Sequence, residues 1–183
     1  PLLHAYRMGN TTLVKLLIQA STGEKMREGA SETYVSVLDK ATASGEPILH
    51  CAIRNGDVAV IRELLAAKAS PVVENKMTGN KPLHLVCSCI ESSRSGKSLL
   101  AGAKPITDAQ ASLIAMLLLA EMESSDKLTI ENLTATDREG MTPLHHACRN
   151  PSRASVASAL IDRIVEVDPE FSLDECVDDS GRT

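Results

Sequence analysis

Apolar side chains along this 183-residue chain fall at helical intervals in separated stretches. Leu13, Val14, Leu16, Leu17 and Ile18 make one set, and Val60, Ile61, Leu64 and Leu65 another. That spacing lays a stripe along one helix face, which a neighbouring element has to cover. A further helix is predicted over "ASLIAMLLLAEM", Ala111 to Met122, and Thr107 with Gln110 forms a capping-box pattern that sets its start. Between these sets the chain turns polar, and Ser21 to Ser44, Glu91 to Thr107, Ser124 to Thr136 and Asp168 to Cys176 read as loops. Within the first loop "YVSVL", Tyr34 to Leu38, has an extended-looking pattern and is expected to pair as a short strand.

The helical sets belong to a recurring unit. Set side by side, the copies are "PLLHAYRMGNTTLVKLLIQ" from Pro1, "GEPILHCAIRNGDVAVIRELL" from Gly45, "GNKPLHLVCSC" from Gly79 and "GMTPLHHACRN" from Gly140. The closing "VDDSGRT" repeats the Asp137 and Gly140 positions as Asp178 and Gly181. Each copy has a glycine turn, a proline near a helix start, a Leu-His pair and small or apolar residues. Pro143 suits a first helical turn, where a missing backbone donor costs nothing, and Thr142 is placed to cap it. Small Ala52 and Ala147 allow close helix approach.

This unit resembles the ankyrin repeat, a turn followed by two antiparallel helices with a Thr-Pro-Leu-His-x-Ala signature and a period of about 33 residues. Asp137, Gly140, Thr142, Pro143, Leu144, His145 and Ala147 match it in order. The resemblance implies an all-α solenoid of stacked helix-turn-helix units with extended turns and short β-hairpin pieces. One domain over 1–183 is expected, a fragment of a longer chain, with units near 1–44, 45–78, 79–139 and 140–180. The histidines are spaced by 46, 34 and 61 residues, so only one step is near the family period and the surplus has to sit in loops. Pro1 and Pro47 fall in the threonine slot and Lys81 replaces it in the third copy, which predicts weaker helix starts there than at Thr142.

Candidate chemistry reduces to architecture under this register. The family places His4, His50, His84 and His145 in a slot whose imidazole links neighbouring turns by hydrogen bonds. His146 alone falls outside it, while Cys148 falls at a core position. His84, Cys87 and Cys89 could offer metal ligands, but Cys87 and Cys89 point to different helix faces and no second ligand pair follows. "SGKS" at Ser95 to Ser98 lacks the upstream glycine of a phosphate-binding loop, since position 91 is Glu91. No catalytic constellation, metal or cofactor is expected, and the chain is read as a non-enzyme.

Composition narrows the partners. Aromatic residues make up 2% of the chain and the net charge is -5, which argues against nucleic acid, where stacking platforms and basic grooves are needed. The longest apolar run, Leu113 to Ala120, is well short of the roughly 20 residues of a membrane span. Seven acidic residues and no basic one lie between Glu166 and Asp179, which reads as a solvated loop. Five cysteines without disulfide-framework spacing suit a reducing intracellular compartment, taken as cytoplasmic with the nucleus also open.

The expected function is therefore protein binding by a monomeric scaffold. The alternative is a regulatory or targeting segment of a larger enzyme or channel, because Pro1 enters a copy already begun and Thr183 stops where the next Pro-Leu-His would come. By the resemblance, the binding surface consists of turn tips and first helices. Its candidates are Ser44, Glu46, Thr78, Asn80, Arg138, Glu139 and Met141 on the tips, with Cys51, Arg54, Asn55, Leu85, Ser88, His146, Arg149 and Asn150 on the helices. Arg54 and Arg149 occupy equivalent positions, and arginine is enriched where binding energy concentrates.

Overall fold

The computed structural model describes residues 2–8, 11–23, 38–39, 46–88 and 106–172. Helices there run α1 (Leu2–Arg7), α2 (Thr11–Gly23), α3 (Ile48–Arg54), α4 (Val58–Ala66), α5 (Pro82–Ser88), α6 (Asp108–Ser124), α7 (Ile130–Leu133), α8 (Pro143–Cys148) and α9 (Ala154–Val167). Four antiparallel pairs result: α1 with α2, α3 with α4, α5 with α6, and α8 with α9. They stack in two rows, an inner one in which α3 packs on α5 and α5 on α8, and an outer one running α2, α4, α6, α9. No strand occurs among the described residues, and most of the "YVSVL" stretch lies outside them.

The core is the seam between the rows. Val60, Ile61 and Leu64 of α4, Ile114 and Leu118 of α6, and Val156, Leu160 and Ile164 of α9 are buried there. The short inner helices supply Leu49, Ala52 and Ile53 from α3 and Leu83, Val86 and Cys87 from α5. Ala52 and Ala147 are both buried, as close helix approach requires. On α2 the outcome divides: Val14 and Ile18 are buried against α4, whereas Leu13 and Leu16 are exposed, because one helix face can meet only one neighbour.

Local chemistry starts and stops these helices. Thr107 accepts from the Gln110 amide at 3.2 Å and the Gln110 side chain accepts from the Thr107 amide at 3.1 Å, completing the capping box. Asp57 caps α4 by accepting from the Val60 amide at 3.1 Å. At the far ends, Lys68 (φ 67°) and Asp126 (φ 55°) turn left-handed. The residues that follow them then return hydrogen bonds to the last turn, Ala69 to the Leu64 carbonyl at 2.9 Å and Lys127 to that of Met122 at 2.8 Å.

One expected loop, Ser124 to Thr136, carries the short helix α7. Thr129 caps it through the Asn132 amide, and Leu133 is buried, so this insertion contributes to the core rather than merely bridging. The second insertion is anchored from outside. Arg153, 2% exposed, donates through Nε to the Val86 carbonyl at 3.2 Å and through Nη2 to the Ile106 carbonyl at 3.0 Å, holding the chain on both sides of residues 89–105. Carbonyl acceptors of this kind are what make a buried guanidinium tolerable.

Candidate functional site

The repeat puts four slots in a fixed order along each inner helix. A cap residue (Pro47, Lys81, Thr142) is preceded by a tip-base residue (Glu46, Asn80, Met141), followed three positions later by histidine and seven later by Arg54, Ser88 or Arg149. Two of the slot histidines, His50 and His84, do what the slot implies. His50 Nε2 lies 2.9 Å from the Val73 carbonyl and His84 Nε2 lies 3.1 Å from that of Met141, each reaching into the turn of the next unit. With Nε2 as donor, Nδ1 is left as an acceptor facing its own helix start.

That start differs between copies. Thr142 forms a full box with His145: its hydroxyl accepts from the His145 amide at 3.3 Å and its amide donates to His145 Nδ1 at 3.1 Å. Lys81 lacks the hydroxyl but keeps the second half, its amide donating to His84 Nδ1 at 3.1 Å. Pro47 has neither group. It is the N-cap of α3 with no side-chain hydrogen bond, and His50 Nδ1 is consequently buried without a partner. Burial pushes the His50 and His84 imidazoles down to about 4, so both are neutral at pH 7.

The tips are stapled to one another. Asp137 Oδ1 accepts from the Glu139 amide at 2.9 Å and the Met141 amide at 3.0 Å, while Oδ2 meets His146 Nε2 at 2.9 Å. Burial opposes ionisation of this carboxyl, yet the hydrogen bonds from His146 and from the two amides hold it below the usual carboxylate range. Asn75 does the equivalent work one unit earlier, accepting from the Met77 amide at 2.9 Å. Between the tips, the Arg138 amide donates to the Thr78 carbonyl at 3.1 Å and its guanidinium to the Lys76 carbonyl. Gly79 (φ 76°) permits this approach, since a Cβ there would lie 2.9 Å from the Arg138 nitrogen.

Against this frame the candidates separate. Thr78, Arg138, Glu139 and Arg149 are exposed, and Arg54, Asn55, Asn80, Ser88 and His146 are half-buried. Glu46, Cys51, Leu85, Met141 and Asn150 are buried, and Ser44 lies outside the described residues. Asn55 is used internally, donating to the Tyr6 hydroxyl at 3.0 Å, as is Asn150, which donates to the Cys87 carbonyl at 3.4 Å. Burial and the Glu46 carboxylate push the Cys51 thiol up to about 12, so it is unreactive. Cys148, expected in the core, is instead exposed. Its equivalents Ile53 and Cys87 are covered by the next inner helix, and α8 is the last inner helix among the described residues.

Two residues absent from the candidates also stand on the tips. Lys76 is exposed and Met77 is 65% exposed, and they follow Asn75 as Arg138 and Glu139 follow Asp137. Carrying the tip slots across every copy would have found them.

The equivalent arginines differ in what they meet. Arg54 forms an ion pair with Glu46 in the tip-base slot. Arg149 reaches back to the same slot and finds Met141, its Nη1 3.6 Å from the thioether sulfur. Among the described residues no group of His, Cys, Asp and Glu is arranged to hold a metal ion, and no helix is long and apolar enough to cross a membrane.

Comparison with known families agrees with this register. A family model described as ankyrin repeats (3 copies) matches residues 2–109, and one described as ankyrin repeat matches residues 139–169. No curated protein and no solved structure matches the chain.

Proposed function

The chain belongs to the ankyrin repeat family, and from that premise we propose that it binds a protein partner through the front formed by its turn tips and inner helices. Ankyrin repeats are in general protein-interaction modules, and a stacked solenoid offers an extended surface suited to such a ligand. The observation that carries the choice of face is the contrast in what the two rows spend their side chains on. Most outer-row cations are bound to the chain's own carboxylates, Lys68 to Glu121 at 3.1 Å and Arg163 to Glu123 and Glu166, with Arg62 exposed outside any ion pair as the exception. On the front, Thr78, Arg138, Glu139 and Arg149 stand exposed on a framework held rigid by the tip-to-tip hydrogen bonds. Preorganised side chains of this kind lose little entropy on binding. A reducing intracellular setting is part of the proposal, and it is supported by Cys51 and Cys148 being free thiols.

The test is affinity capture from cell extract with three forms of the protein. Arg149→Glu with Arg138→Glu alters the front, while Arg62→Glu alters the exposed outer face of α4. Partners captured by the wild type should disappear with the front variant and persist with the outer one. If every partner survives the front substitutions, the choice of face is wrong.

A further inference from the structure

The front of the last two described tips carries cations that the chain itself does not neutralise. Lys76 and Arg138 are exposed on adjacent tips, Arg149 is exposed at the end of α8, and none of the three forms an ion pair. Elsewhere Lys15, Arg54, Lys68 and Arg163 meet carboxylates and Lys81 and Lys127 meet neutral oxygens, while among the described residues Arg62 stands exposed and alone on the outer face of α4, away from any second unpaired cation. Arg149 is the telling case, because its equivalent Arg54 is neutralised from the very slot that holds Met141 here. We propose that Lys76, Arg138 and Arg149 form the recognition site for an acidic segment of the protein partner, with Met77 as the apolar contact beside it; this rests on the front being the binding face.

Geometry and charge support that chemistry together. The Arg138 amide is fixed to Thr78 and its guanidinium to the Lys76 carbonyl, so the side chain is held across two tips. A guanidinium has five donors, which leaves donors to engage a carboxylate, often bidentately. Arg149 is steadied by Met141 without loss of charge. Glu74, Asp137 and Glu139 share these tips, but Glu74 and Glu139 pair with none of the three cations and the Asp137 carboxylate is taken up by His146 and the Glu139 and Met141 amides. Met77 is flexible and polarisable and can mould to an apolar residue flanking the acidic ones. A peptide carrying a short acidic run finds unpaired cationic donors here, whereas a nucleic acid would also meet the acidic outer side, where Glu123, Asp126, Asp162 and Glu166 are exposed.

The experiment selects from a displayed library of random peptides against the whole immobilised chain, then measures affinities of the recovered sequences by fluorescence anisotropy. Peptides enriched in Asp and Glu beside an apolar residue are expected. Their binding should weaken about tenfold with Arg149→Ala and with Arg138→Ala, weaken as salt rises, recover in part with Arg149→Lys, and be unchanged with Arg62→Ala. Recovery of neutral or basic peptides whose binding depends on Thr78 or Arg54 would overturn the acidic partner while keeping the front face. Recovery only of peptides insensitive to every front substitution would overturn both. A single-stranded oligonucleotide binding more tightly than the best acidic peptide would likewise overturn the inference. Circular dichroism of each variant confirms that the helices are retained.

Discussion

Glu46 to Arg54 and Met141 to Arg149 are the same nine positions of one repeat, and they use the frame in opposite ways. The first begins with a proline that cannot cap, leaves His50 Nδ1 without a donor in a dry site, and ends with an arginine neutralised by its own tip base. The second begins with a complete Thr142–His145 box and ends with an arginine beside a thioether. One copy is poorly capped and charge-satisfied, whereas the other is well capped and presents an uncompensated cation. The backbone of a repeat therefore does not decide its role: the residues in two slots set helix-start stability and surface charge independently.

Acid should act most strongly on the earlier copy and on the one that follows it, which hold His50 and His84. His50 and His84 are held at about 4 by burial against an ordinary value near 6.5, so the unfolded chain binds more protons than the folded one between those values. Their contribution is complete above 6.5 and is lost as pH falls toward 4. Between pH 7 and pH 5 the two together cost about 4 kcal/mol, at a limiting slope of about 1.4 kcal/mol per pH unit each. Urea midpoints at the two pH values measure it. His50→Gln should remove about half of the dependence, leaving that of His84, and a pH-independent wild-type midpoint would show that the imidazoles are solvated.

Next in size is the join under the later copy. Gly79→Ala forces an L-residue to a positive φ and brings a Cβ to 2.9 Å of the Arg138 nitrogen, which should cost about 2–3 kcal/mol. Loss of amide protection at Arg138 in hydrogen exchange would locate the damage at the tip-to-tip bond.

Smaller effects exchange the two helix starts. Thr142→Ala removes the box and should destabilise by about 1 kcal/mol. Pro47→Thr restores both a hydroxyl cap and an amide aimed at His50 Nδ1, and should stabilise by about 1 kcal/mol, less the entropy proline removes from the unfolded chain. If thermal melts moved the same way for both, the caps would not be the difference between the copies.

Much of this comparison was legible in the residues. Placing Pro47, Lys81 and Thr142 in one slot anticipated that Thr142 has a hydroxyl cap the other two lack, though not that Lys81 keeps half of the box, and the His50 and His84 links followed from the slot they occupy. Interhelical packing was not legible. Cys51, Leu85 and Met141 lie on stretches that look surface-facing by position, yet the inner helices stack closely enough to cover them. Cys148 shows the converse, a core-type position left exposed where no described inner helix follows. Nor does spacing reveal that Glu46 reaches Arg54, because a side chain eight positions away meets it only once the tip folds over the helix. Met77 is hidden for a different reason: the third copy has one residue more between Asn75 and Gly79 than Asp137 has before Gly140, so counting back from the glycine misaligns the tip.

The most direct measurement compares Arg54→Ala with Arg149→Ala for affinity toward the peptides that the wild type selects. An arginine already bound to Glu46 has little to offer a ligand, so Arg54→Ala should stay within about threefold of wild type while Arg149→Ala loses about tenfold. Equal losses at the two sites, or a larger one at Arg54, would contradict the account.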